Sequence, residues 1–115
     1  MTPHGEVSVK FASALVAGDF NKAHALLTPT LRQQMTPADL RERLYSMWRG
    51  YAKGEPKGIH FDEEFAHENW PAKRPGDIGW AYVGIEGDGF VEAVTVTVAD
   101  VEGSLLVGEI EWGRP

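Results

Sequence analysis

Apolar residues recur at helical spacing in the first half of the chain and alternate at strand spacing in the second. From Glu6 to Ala17, Val7, Phe11, Ala14 and Leu15 fall at i, i+4, i+7 and i+8, which is one face of a helix. Gly18 suits the left-handed position just past that helix, and Asp19 suits the cap of the next one. Phe20, Ala23, Leu26 and Leu27 form a second stripe, which the pair Thr28-Pro29 should stop. A third helix is predicted from the start signal Thr36-Pro37-Ala38-Asp39, with the threonine as cap, the proline first in the helix and the acid completing a capping box. Its stripe is Leu40, Leu44, Met47, Trp48 and Tyr51, about four turns of helix, and Gly50, Gly54, Pro56 and Gly58 end it.

The second half is rich in valine, threonine and aromatics, the composition of strands. Residues 58–65 (GIHFDEEF) are expected as a first strand. Ile78 to Glu86, Phe90 to Val101 and Ser104 to Trp112 follow. The glycines of EGDGF and EGS supply hairpin turns, and HENWPAKRPGD reads as a long polar loop. Helices followed by an antiparallel meander predict a single α+β domain over residues 1–115. Three amino-terminal helices are expected to pack on one face of a sheet of about four strands. The predicted core is organised by Phe11, Leu15, Leu27, Leu44, Trp48 and Val96, each at the apolar position of a periodic run.

The segment FASALVAGDFNKAHALLTPTLRQQMTPADLRERLYSMW resembles the amino-terminal half of the nuclear transport factor 2-like superfamily. The features that carry the resemblance are an aromatic-plus-alanine helix, a GDF turn, a short helix ending near proline and a third helix leading into a tryptophan. It looks closest to small bacterial branches of unknown function. The resemblance covers about the first 50 residues; the strand half agrees in order and number alone. It implies a curved sheet wrapped around the helices as a cone, often with a pocket at the open end. Relatives include ketosteroid isomerase and dehydratases as well as many binding domains, so the fold does not fix the activity.

Composition narrows the choice. The formal net charge is −6, opposite to the electrostatic footprint of nucleic-acid binding and ill suited to an anionic membrane surface. A basic protein partner or a neutral small molecule suits it better. With no cysteine, thiol catalysis, disulfides and cysteine-ligated metals are excluded. The start MTPHGEVSVK has no signal-peptide pattern and no apolar run approaches the roughly 20 residues of a membrane span, so a cytoplasmic protein is expected.

Among candidate residues, Glu92 shares a strand face with Phe90, Val94, Val96 and Val98. A carboxylate among apolar neighbours is suited to general acid or base work, with Tyr82 as the conceivable partner; a strand-end acid reaching water is the plain alternative. The acids that the related isomerases use do not map onto this sequence residue by residue. Trp48, Trp80, Tyr82, Glu92 and Trp112 are the candidate pocket residues, with ordinary core packing as the alternative for the aromatics. On a strand, His60, Asp62 and Glu64 point to one side and are weak metal candidates, with His67 near; the spacing has no dedicated signature and no cofactor is expected. Glu109 and Glu111 alternate with Ile110 and Trp112 as on a half-exposed sheet, either solvated or a patch for a basic partner. His24 has no serine or acid arranged with it as a triad. The tryptophan of ENWPAKRPGD either pins a loop or tips a lid.

Two functional readings follow. The first is a non-enzymatic binding or interaction domain, of the kind that includes partner-neutralising proteins such as immunity proteins against toxins. The second is a small isomerase, dehydratase or hydrolase acting on a neutral apolar molecule. A homodimer is also expected. The strand face of Val91, Ala93, Thr95, Thr97, Ala99 and Val101 carries no charge, and it suits sheet-to-sheet contact between two copies.

Overall fold

The structure is a computed structural model and describes residues 1–114. Four helices precede the sheet: α1 (Pro3–Val16), α2 (Phe20–Ala25), α3 (Pro29–Gln34) and α4 (Pro37–Ser46). Three of them start on the same dipeptide. Thr2, Thr28 and Thr36 each accept a backbone N–H of the first turn, and Pro3, Pro29 and Pro37 each take the first helical position. Three helices were expected, and the fourth is α3. α2 stops at Ala25, short of the expected stop at Thr28-Pro29, because Leu27 leaves the helix to bridge Val107; Thr28-Pro29 instead begins another helix. At α4 the capping box forms, Asp39 accepting from the Thr36 backbone while Thr36 accepts from that of Asp39. This helix is shorter than the apolar stripe implied: it ends at Ser46, and residues 47–51 form turns that carry Tyr51 out to 56% exposure.

The strands are β1 (Pro56–His60), β2 (Ala66–His67), β3 (Asp77–Gly87), β4 (Phe90–Val101) and β5 (Ser104–Trp112). All pairings between these strands are antiparallel, in the order β1-β3-β4-β5, with the short β2 also pairing β3, and Leu27 adds one parallel bridge to Val107. The expected first strand breaks early. Beyond His60, Asp62 accepts from the Glu64 backbone and starts a 3-10 turn over Glu63–Phe65. In the β4–β5 hairpin, Glu102 and Gly103 both have positive φ, as a two-residue turn of matching twist requires.

The helices cover one face of the sheet. Phe11 and Leu15 of α1 and Leu40 and Leu44 of α4 belong to one core cluster with Val83, Ile85, Val94, Val96, Val98 and Val107, all without solvent exposure. The six residues expected to organise the core all lie in this cluster. Trp48 lies flat on Phe90, with ring centroids 4.1 Å apart and planes 9° apart. No helix of the described residues is long and apolar enough to cross a membrane.

The register of β5 decides which residues reach the other face. The turn pairs Val101 with Ser104, and an uninterrupted ladder from there would set Thr95 opposite Ile110. A bulge at Gly108 shifts the register by one, so that Thr97 pairs with Glu109 and Thr95 with Glu111. Ile110 and Trp112 therefore turn to the helix side, where both pack against the core. Glu109 and Glu111 turn to the uncovered side.

Candidate functional site

Two three-residue rungs cross the face that the helices leave free. Tyr82 of β3 pairs with Thr95 of β4, which pairs with Glu111 of β5; one step along, Trp80 pairs with Thr97 and Thr97 with Glu109. Side chains of paired residues share a face, so each rung runs from aromatic to threonine to carboxylate. Neighbouring strands lie about 4.8 Å apart, which sets the aromatic and acidic ridges about 10 Å apart across short threonines. The result is a groove of about 680 Å³.

Residues 61–76 supply the second wall. Phe65, Trp70 and Ala72 line the groove beside Trp80 and Tyr82. Phe65 tilts against Tyr82 with centroids 5.9 Å apart, and His67 stacks on Trp80 at 4.4 Å. This segment is fixed at both ends. At one end Glu63 accepts from the Thr2 backbone at 2.7 Å, and Ala66 and His67 pair with Ala81 and Trp80. At the other, Asp77, only 8% exposed, accepts from the backbone and side chain of Arg74, whose guanidinium also reaches Glu109 at 3.5 Å. Lys73 donates to the Glu68 carbonyl and holds its ammonium 5.6 Å from the Trp70 ring centre.

The candidate pocket residues fall on opposite sides of the sheet. Trp80 and Tyr82 line the groove. Trp48 is buried in the core, and Trp112 packs against it from the helix side. Glu92 pairs with Ile85 and shares its face, the face opposite Tyr82. Glu92 and Tyr82 do border two further clefts together, of about 640 and 240 Å³. The Glu92 carboxylate is 7% exposed and already engaged: the Tyr51 hydroxyl donates to it, and Arg114 lies at 3.7 Å. Loss of hydration at the Tyr51 phenol, and then its bond to Glu92, raise the pKa of that phenol above the usual tyrosine range.

His60 ends β1, Asp62 caps the 3-10 turn and Glu64 lies within it, so the three do not share a strand face. Among the described residues no group of three or more His, Asp or Glu side chains could hold a metal ion. His24 sits where its Nε2 meets the Met35 carbonyl at 2.7 Å, tying α2 to the end of α3.

Sequence patterning alone left Phe65, Trp70, Thr95, Thr97 and the two glutamates as separate features. The two-residue turn at Asp88-Gly89, which pairs Gly87 with Phe90, is the signal that sets Tyr82 opposite Thr95. No protein-family model matches the chain, and no curated protein or solved structure matches it either.

Proposed function

We propose that the protein is a non-enzymatic binding domain whose site is the aromatic groove on the helix-free face of the sheet. The observation that carries this reading is the convergence of Phe65, Trp70, Trp80 and Tyr82 on one cavity of about 680 Å³. Small-molecule sites are concave, mostly apolar and of roughly 300–1,000 Å³. Rings left in such a cavity gain most when a ligand removes them from water. The resemblance of residues 11–48 to the nuclear transport factor 2-like superfamily supports a helix-on-sheet frame of a kind that carries binding sites in many relatives. A cone pocket between helices and sheet is less favoured, since Phe11, Leu15, Leu44, Trp48 and Phe90 occupy that space.

The enzyme reading needs Glu92 as a free base with Tyr82 beside it. The bonds from Tyr51 and Arg114 to Glu92, and the placement of Tyr82 on the other face, weigh against it. A homodimer through the groove face would press Glu109 and Glu111 of both copies into one interface, and desolvated carboxylates oppose that. Titration with neutral, cationic and anionic aromatic fragments, followed by tryptophan fluorescence and thermal unfolding, tests the proposal. At least one fragment should raise the unfolding temperature saturably, and Trp80→Ala, checked for folding by circular dichroism, should abolish that response. No response to any fragment, or a response that survives Trp80→Ala, would refute it.

A further inference from the structure

We infer that the groove takes a small organic cation: a protonated amine carried on an apolar body, bound between the aromatic ridge and Glu111. This rests on the binding reading above and names the ligand class for that site.

The two glutamates at the groove are not equivalent. Glu109 shares Arg74, at 3.5 Å, with the buried Asp77, whereas Glu111 forms no ion pair among the described residues. Arg43, Arg74 and Arg114 border a neighbouring cleft that also reaches Glu111, but Arg74 is held by Asp77 and Glu109, Arg114 by Glu92, and none of the three lies within ion-pair distance of Glu111. One uncompensated carboxylate therefore faces aromatic rings across the threonines. A neutral apolar ligand would gain nothing from that solvent-exposed carboxylate, and an anion would be repelled. A ligand with one positive charge satisfies it and gains from the ring faces as well, since aromatic quadrupoles attract cations. The chain already places one ammonium this way, Lys73 over Trp70. The net charge of −6 raises the local concentration of cations around the molecule. The size of the cavity, about 680 Å³, fits a free amine of drug-like size rather than the face of a folded basic protein.

Benzylamine, benzyl alcohol and benzoate share one shape and differ in charge, so they separate the alternatives in titrations at neutral pH. Benzylamine should bind saturably and about tenfold more tightly than benzyl alcohol, a difference of about 1.4 kcal/mol. Benzoate should not bind. Glu111→Gln should bring benzylamine down to the value of benzyl alcohol in the same variant, with benzyl alcohol bound no more weakly than before. Added salt should weaken benzylamine alone in the unmodified protein, a readout that does not depend on the variant folding. Equal affinity for benzylamine and benzyl alcohol would overturn the cation assignment while leaving the groove a binding site. Failure of all three probes and of the wider fragment set would overturn both readings. A penta-lysine peptide binding more tightly than benzylamine would overturn the small-molecule class in favour of a basic protein partner. So would light scattering that shows a sheet-to-sheet dimer unable to bind benzylamine, in that case in favour of a second copy.

Discussion

Replacing Leu44 with alanine removes a wholly buried side chain of α4 from the core that helices and sheet share. Three carbon atoms leave the core, and at about 0.8 kcal/mol each the lost transfer energy is about 2.4 kcal/mol. The surroundings relax only in part. A residual void of about 50 Å³, at about 24 cal/mol per Å³, adds about 1 kcal/mol. The expected loss is thus about 3–4 kcal/mol, a large part of the roughly 5–15 kcal/mol that stabilises a domain of this kind. Thermal unfolding should fall by about 12–16 °C, taking about 4 °C per kcal/mol for a chain of this length. In urea, with a slope of about 1–3 kcal/mol per M, the midpoint should drop by at least about 1 M. Arg41→Ala on the exposed side of the same helix is the control, and it should stay within about 0.5 kcal/mol. A loss of less than about 0.5 kcal/mol for Leu44→Ala would place Leu44 at the surface and refute the assigned helix face.

Burial of His4, outweighing the opposite pull of Glu68 and Glu63, holds its pKa below the ordinary 6.5, so the unfolded chain binds more protons below that pH. Stability should fall as pH drops from 6.5 towards the lowered folded value, more steeply than in His4→Phe; parallel urea-midpoint profiles would contradict this. Gly87→Ala should destabilise strongly and disturb the near-ultraviolet circular dichroism of the Trp48–Phe90 stack. An added Cβ would overlap the Phe90 ring and lie 2.5 Å from the Glu55 carbonyl oxygen, so a neutral outcome would mean that this end of the sheet is open. Tyr51→Phe removes a donor to the buried Glu92 carboxylate and should cost about 1 kcal/mol in denaturant unfolding; an unchanged midpoint would show that water replaces the hydroxyl without loss.

Three of the four helices were legible because each of those carries a local signal. Periodicity marked their buried faces, and the Thr-Pro pair at 36–37 marked the start of α4. The same pair at 28–29 was read for its power to stop a helix, although a proline that cannot extend one helix is well placed to begin the next. Tyr51 continued the stripe of α4 on paper, yet the chain had already turned, and its hydroxyl meets Glu92 from outside the core. In the strand half, the alternation of Ile110 and Trp112 with Glu109 and Glu111 showed that β5 has one apolar and one acidic face. It did not show which face meets the helices. That depends on the bulge at Gly108, and an isolated glycine in a strand signals a bulge without fixing its effect on register. The groove follows from that shift, together with the return of residues 61–76 over the sheet, a long-range contact that no local pattern encodes.

The four tryptophans provide the most direct measurement, because they divide between the two faces. Trp70 and Trp80 line the outer groove, while Trp48 lies in the core and Trp112 packs on the helix side. Each indole N–H gives its own proton–nitrogen signal, assignable by single Trp→Phe replacements. On addition of benzylamine, the Trp70 and Trp80 signals should move saturably with a common affinity, while those of Trp48 and Trp112 stay in place. Movement of Trp48 and Trp112 with Trp70 and Trp80 unchanged would put the ligand between helices and sheet and contradict the outer groove as the binding site.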